Sequence, residues 1–117
     1  MSWLATITEE RHGDVPVAVV DGEVDASNAA DVAVRLRQLV TNSSAALIVD
    51  LSPTSYLNSA GINLLFDLGT ELRDRQQELH LVVPPTSPIA RAISFTGLDG
   101  VVATHATREA ALERVGG

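Results

Sequence analysis

The apolar residues of this chain recur in blocks, and each change of period marks an element. Residues 3–8 alternate loosely between apolar and polar, residues 15–20 are rich in β-branched side chains, and Gly13-Asp14 lies between them. Two-residue alternation is the side-chain period of a strand and Gly-Asp is a turn signal, so the opening predicts an N-terminal hairpin. Pro16 has no N–H to give a neighbouring strand, which places it at a strand start or on an edge. Beyond the segment 21–25 the period changes to three and four. Ala29, Val32, Ala33, Leu36, Leu39 and Val40 then form one stripe on a helix, with Asp25 or Ser27 as its cap.

Residues 45–51 (AALIVDL) are a short apolar run that predicts a strand covered on both faces, ending at Asp50-Leu51-Ser52-Pro53. Ile62, Leu65, Phe66, Gly69 and Leu72 mark a second helix, and residues 79–83 another buried strand stopped by Pro84-Pro85. Thr86 or Ser87 followed by Pro88 starts a short helix with Ile89, Ala92 and Ile93, which Gly97 terminates. Residues 101–103 predict a last strand, and Thr107 caps a final helix bearing Ala111, Leu112 and Val115. Strands alternating with helices after a hairpin define an α/β fold: a mixed, mostly parallel sheet with about four α-helices. No repeat, low-complexity run or linker divides the chain, and 117 residues suit a single domain spanning residues 1–117.

Composition narrows the partners. Apolar residues make up 45% of the chain but aromatics only 3%, so the core is built from Ala, Val, Leu and Ile. Fifteen acidic residues against eight basic ones give a net charge of -7, which repels a phosphate backbone and offers no basic patch to anionic lipid. Neither nucleic acid nor direct membrane contact is expected. The absence of Cys removes disulfides, thiolate metal sites and thiol nucleophiles. The N-terminus lacks a basic head with a long apolar run, and no segment nears the roughly 18 apolar residues of a membrane span, so a cytoplasmic protein is expected. Asn42-Ser43-Ser44 matches a glycosylation acceptor but reads as a polar loop.

Candidate chemistry gathers in YLNSAGINLLFDLG, residues 56–69. An apolar strand, a polar turn, Ser59 and then a helix place the hydroxyl beyond the carboxyl end of a strand and at the amino end of a helix, where ligands collect in open α/β sheets. Two readings follow. Either Asn58 or Ser59 caps the helix, its side-chain oxygen accepting a free backbone N–H. Or the hydroxyl is a phosphoacceptor, where a charge of about -1.5 to -2 would meet the positive end of the helix dipole without unfolding it.

The succession Asp21-Gly22-Glu23-Val24-Asp25, Ile48-Val49-Asp50-Leu51-Ser52 and Tyr56-Leu57-Asn58-Ser59-Ala60-Gly61-Ile62 resembles the STAS domain of bacterial anti-sigma factor antagonists. The resemblance covers nearly the whole chain, through Phe95-Thr96-Gly97-Leu98. Its central piece is similar to the family's Asp-Ser-Ser-Gly-Leu or Asp-Ser-Ala-Gly phosphorylation motif. The resemblance implies that Ser59 is the phosphoacceptor and that Gly61 is the small residue of the first helical turn. It also implies that Glu23 and Asp25, on a loop near the site, join Asn58, Ser59, Ala60 and Gly61 in contacting a partner. That partner would be an anti-sigma factor that is also a serine kinase, bound by the unphosphorylated form so that sigma factor is released. The kinase would bring ATP and magnesium, and the chain itself would need no cofactor or metal.

Asn58 stands where the family usually has Asp. The amide has the carboxylate's shape but not its charge, so phosphorylation should be slower than with an acid there. Ala60 replaces the family's second Ser and removes a neighbouring acceptor. For Asp25, a helix cap competes with a partner contact, and for Asp50, end-of-strand polarity competes with function. Gly-x-Ser-x-Gly of a nucleophile elbow is absent, and neither His12, His80 nor His105 is tied to Ser59 by a known spacing, so no catalytic activity is expected. The alternative is a non-phosphorylated STAS interaction module of a stress-signalling or transporter complex, with Ser59 serving the helix end alone.

Overall fold

In the computed structural model, which describes residues 4–116, the alternating N-terminal segment pairs as expected. β1 (Ala5–His12) runs antiparallel to β2 (Val15–Val24), in register from Ala5 opposite Gly22 to His12 opposite Val15. The expected first strand begins at residue 3, which lies outside the described residues. Pro16 stands at the start of β2, before pairing with the next strand begins at Val17. Then follow α1 (Ala29–Leu39), β3 (Ala46–Asp50), β4 (Thr54–Leu57), α2 (Ser59–Asp74), β5 (Glu78–Val82), α3 (Ala90–Thr96), a 3-10 turn at Leu98–Gly100, β6 (Ala103–His105) and α4 (Arg108–Gly116). The sheet order is β1-β2-β3-β5-β6, with β4 also on β2, and every pairing except β1–β2 is parallel.

Side-chain alternation divides the core. From β2 and β3, Ala18, Val20, Leu47 and Val49 face the layer of α1 and α2 and are buried with Val32, Leu36, Leu65, Leu68 and Leu72. Val17 and Ile48 point the other way and meet Val82 and Ala111 beneath α4. Both faces of β3 are therefore covered, as its unbroken apolar run requires. Gly97, at φ 79°, ends α3 in the left-handed conformation expected of it, and Thr107 Oγ1 accepts the Ala110 N–H at 3.1 Å as the cap of α4.

Several boundaries differ from those read in the sequence. β4 was not expected: the four residues TSYL, read as part of a short polar turn, become a strand because β2 continues to Val24 and offers them a free edge. Glu23, expected on a loop, is consequently a strand residue opposite Tyr56. Neither Asp25 nor Ser27 caps α1. The cap position is Asn28, and the Asp25 carboxylate instead accepts the Ser27 N–H and hydroxyl at 2.8 and 2.6 Å. The last strand begins at Ala103 rather than 101, since Val102 is spent as a core plug against Gly69, where an added Cβ would lie 2.9 Å from Val102 Cγ2.

Asp50 is a hub. Buried at the end of β3, it accepts the Ser52 N–H and hydroxyl on Oδ1 at 2.9 and 2.6 Å, and Nε and Nη2 of Arg108 on Oδ2 at 3.1 and 2.9 Å. Arg108 Nη1 also reaches Glu10 at 2.8 Å, so one guanidinium joins α4 to β3 and β1. Lower on the same face His80 Nδ1 lies 2.9 Å from His105 Nε2, and His80 Nε2 lies 2.9 Å from Glu78 Oε1. With His105 donating to His80 and His80 donating to Glu78, each of these contacts joins a donor to an acceptor.

Two predictions follow from these contacts. Asp50→Ala strands a partly buried guanidinium and frees the turn at Ser52, and should cost about 2–4 kcal/mol in urea denaturation; a loss within about 0.5 kcal/mol, as for an ordinary surface substitution, would contradict the hub. Burial, then the neighbouring His80 and Arg114, hold the His105 imidazole below its ordinary value of 6.5. The unfolded chain therefore binds this proton first, so stability present above pH 6.5 is lost as pH falls towards the folded value. His105→Gln should lose less stability than the native protein between pH 7 and about 5.5, a window above the carboxylate range. Equal losses would contradict the assignment.

Candidate functional site

Ser59 follows the carboxyl end of β4, itself laid against the end of β2, and opens α2. The cap that the sequence left between two residues is Asn58: its Oδ1 accepts the N–H groups of Ala60 and Gly61 at 3.0 and 3.4 Å. The Asn58 N–H donates to the Val24 carbonyl at 3.2 Å, and its own carbonyl accepts Ile62 N–H at 2.9 Å. Asn58 is thus fixed at both ends and Ser59 is relieved of capping. The Ser59 side chain is exposed, and among the described residues its hydroxyl takes part in no hydrogen bond. The first turn of α2 holds no acidic residue, so the positive end of the dipole is uncompensated beside this hydroxyl.

Gly61 is buried against the end of the sheet. A Cβ there would stand 2.4 Å from Leu57 Cδ1 and 3.2 Å from Val24 Cγ1, so the bare backbone lets α2 sit down on β2 and β4. Ala60 is half-buried and packs on the core. Of the expected contact residues, Gly61 thus shapes the site from beneath, while Glu23 and Ser59 lie on its surface. Glu23 stands opposite Tyr56, two residues before the cap, and Tyr56 is 49% exposed.

The Asp25 carboxylate is held by Ser27, first through the hydroxyl and then through the backbone, and these bonds lower its pKa below 3.8. It is an ionised turn-former on the neighbouring loop. Asn28, unremarked in the sequence, ties that loop down: Oδ1 accepts the Asp25 N–H and Nδ2 donates to the Glu23 carbonyl, both at 2.9 Å. The signal was available, since an Asn directly precedes the apolar stripe of α1. Tyr56 was legible only as part of the motif, because its exposure depends on the unforeseen β4.

His80 and His105 pair on the α4 face of the sheet, in the opposite layer from α2. Among the described residues no group of three or more His, Asp or Glu side chains could hold a metal ion, and no helix is long and apolar enough to cross a membrane.

A six-stranded sheet with an antiparallel leading hairpin, helices on both faces and a serine exposed at the first turn of the central helix define a recognisable class. The STAS domain family model matches residues 6–111, and the chain belongs to that family. It is similar to the anti-sigma-F factor antagonist RsfB of Mycobacterium tuberculosis, 31% identical over 96% of this chain and 90% of that protein. The crystal structure of an anti-sigma factor antagonist from Mycobacterium paratuberculosis superposes with a TM-score of 0.82 at 30% identity, covering 97% of this chain and 95% of that one. An anti-sigma-factor antagonist (STAS) domain protein from Planctomyces limnophilus shares the fold at 16% identity, with a TM-score of 0.74 over 93% of this chain and 96% of the other.

The cap makes its own prediction. Asn58→Ala removes the acceptor for two helix N–H groups and should destabilise the protein by about 1 kcal/mol, whereas Asn58→Asp should not, since Asp caps as well and its charge suits the dipole. Urea denaturation of the three proteins decides it, and equal stability of the Ala variant would remove Asn58 from this role.

Proposed function

We propose that this chain is an anti-sigma factor antagonist whose unphosphorylated form binds an anti-sigma factor with serine-kinase activity and so frees sigma factor, and that phosphorylation of Ser59 ends the binding. The observation that carries the reading is the division of labour at the start of α2: Asn58 does the capping and leaves the Ser59 hydroxyl unbonded and exposed. The names borne by the mycobacterial relatives support the same reading. In this scheme the chain binds rather than catalyses, works in the cytoplasm, contacts neither nucleic acid nor membrane, and takes ATP and magnesium only through its kinase. Glu23, Asp25, Asn58, Ser59, Ala60 and Gly61 form or shape the contact surface.

A phosphate on Ser59 gains roughly 0.3–1 kcal/mol per favourable charge from the helix end, so the fold tolerates it. A partner surface fitted to a neutral hydroxyl does not, because it loses a desolvated hydrogen bond and must bury a dianion, a cost of about 2–5 kcal/mol or at least tenfold in affinity. Asn58 favours a second reading, a STAS interaction module of a stress-signalling or transporter complex that is never phosphorylated, since the amide cannot help receive the hydroxyl proton.

The two readings part in experiment. With the cognate kinase and ATP, intact mass and peptide mapping should find one phosphoryl group, on Ser59, transferred faster to the Asn58→Asp variant. Modification at Thr54, Ser55 or Ser87 instead, or none by a kinase that binds the protein, would sink the phosphoacceptor assignment. By calorimetry Ser59→Ala should keep the partner and Ser59→Glu should bind at least about tenfold more weakly while melting like the native protein. Native-like binding by Ser59→Glu, or failure explained by unfolding, would overturn the charge switch.

A further inference from the structure

The sheet has two free margins, and they are not alike. β6, on one side, is three residues long, and so short an edge strand offers little backbone to pair with. β1, on the other, keeps its register with β2 over eight residues, with no bulge and no proline, and among the described residues no strand lies against its outer side. The Glu23 N–H donates to the Leu4 carbonyl, and in an antiparallel ladder alternate residues turn both backbone groups to the same neighbour. The even-numbered residues of β1 therefore bond β2. Ala5, Ile7, Glu9 and Arg11 turn their N–H and C=O groups outward.

Charged side chains on an exposed strand normally guard it against pairing. On β1 that guard is spent within the chain: Arg11 Nε lies 3.2 Å from Glu9 Oε2, and Arg108 Nη1 lies 2.8 Å from Glu10 Oε1. The strand so presents a compensated edge in a molecule of net charge -7. Its sequence, ATITEERH, is also compatible with itself. With a two-fold axis at Thr8, Thr8 faces the second copy's Thr8, Ile7 faces its Glu9, Ala5 its Arg11 and Thr6 its Glu10, so no like charges stand opposite one another. An axis at Glu9 or at Glu10 would set two glutamates face to face. An axis at Ile7 would shorten the overlap.

We infer that β1 is a self-association edge, on which a second copy of this chain pairs antiparallel about a two-fold axis at Thr8. The outward groups of Ala5, Ile7, Glu9 and Arg11 then form about eight backbone hydrogen bonds between the copies. Facing threonines are a favourable cross-strand pair, and the interface is closed, since the same edge serves both copies. The joined sheet keeps only the three-residue β6 of each copy as a free margin. β1 lies on the side of β2 away from β4 and α2, so the pairing is independent of the function proposed for Ser59.

Sedimentation equilibrium of the whole protein tests it, at about 0.15 M salt, where repulsion between the copies is screened beyond about 8 Å. The dimer fraction should rise between about 10 µM and 1 mM, as suits an interface at the small end of the range. Glu9→Pro removes an N–H that faces outward and none that bonds β2, so it should weaken association at least about tenfold while melting like the native protein. The native chain has no Cys, so single cysteines report the register. At position 8 the two Cα atoms would stand about 4.5 Å apart, within disulfide range, and at position 6 about 14 Å apart. Mild oxidation should therefore link Thr8→Cys into a covalent dimer at least about tenfold faster than Thr6→Cys, although both positions are exposed. If the proline variant unfolds, the cysteine variants decide alone. A monomer across the whole concentration range, undiminished association of a folded Glu9→Pro variant, or equal cross-linking at both positions overturns the proposal.

Discussion

β2 serves two neighbours in turn on the same side, β3 through Val17–Val19 and β4 through Gly22–Val24, and the placing of the candidate site depends on that hand-over. Gly22 makes it possible. Its φ of 120° is open to glycine and strained for other residues, and a Cβ there would meet the Leu4 carbonyl oxygen at 2.1 Å. With the backbone so turned, Gly22 donates to Pro53 and Glu23 donates to Leu4, at 3.2 and 2.7 Å, and the register shifts between these two residues. The buried Thr54 hydroxyl fastens β4 by donating to the Val20 carbonyl at 2.7 Å. β4 then delivers Asn58 to the Val24 carbonyl, and α2 starts where β2 ends.

From that constraint the chemistry of the edge follows. A helix that starts against a strand must satisfy its first N–H groups locally, and Asn58 does so with one oxygen. Gly61 lets the first turn close on Val24 and Leu57 without a clash. The remaining hydroxyl, on Ser59, is a spare polar group at a point of positive potential, on a face that also carries Glu23 and Tyr56. A rigid support with one uncommitted hydroxyl suits a site read by a partner.

Much of this was legible in the residues and some was not, for physical reasons. The stripes of α1 and α2 and the continuous runs of β3 and β5 report burial directly, so those elements stood out. The motif around Ser59 placed the hydroxyl correctly but left the cap between Asn58 and Ser59, since either side chain can accept an N–H. β4 was hidden because it is only four residues long and follows directly on the Ser52-Pro53 turn signal, so its pairing with β2 is what reveals it. The role of Asp50 was equally hidden, since its partner Arg108 lies 58 positions away and no local period links them. Asp25 misled for a subtler reason: Asp and Asn both suit a helix start, and geometry gave the position to Asn28 while Asp25 bonded Ser27.

The central claim is that the partner meets the edge where β2, β4 and α2 converge. Amide NMR of the labelled protein, titrated with the anti-sigma partner, tests it most directly. The account predicts that perturbations concentrate at residues 23–28 and 56–63, leaving 77–80 and the length of α4 unmoved. Perturbation centred on α4 or on the β5–β6 edge, with Ser59 and its neighbours unchanged, would contradict it.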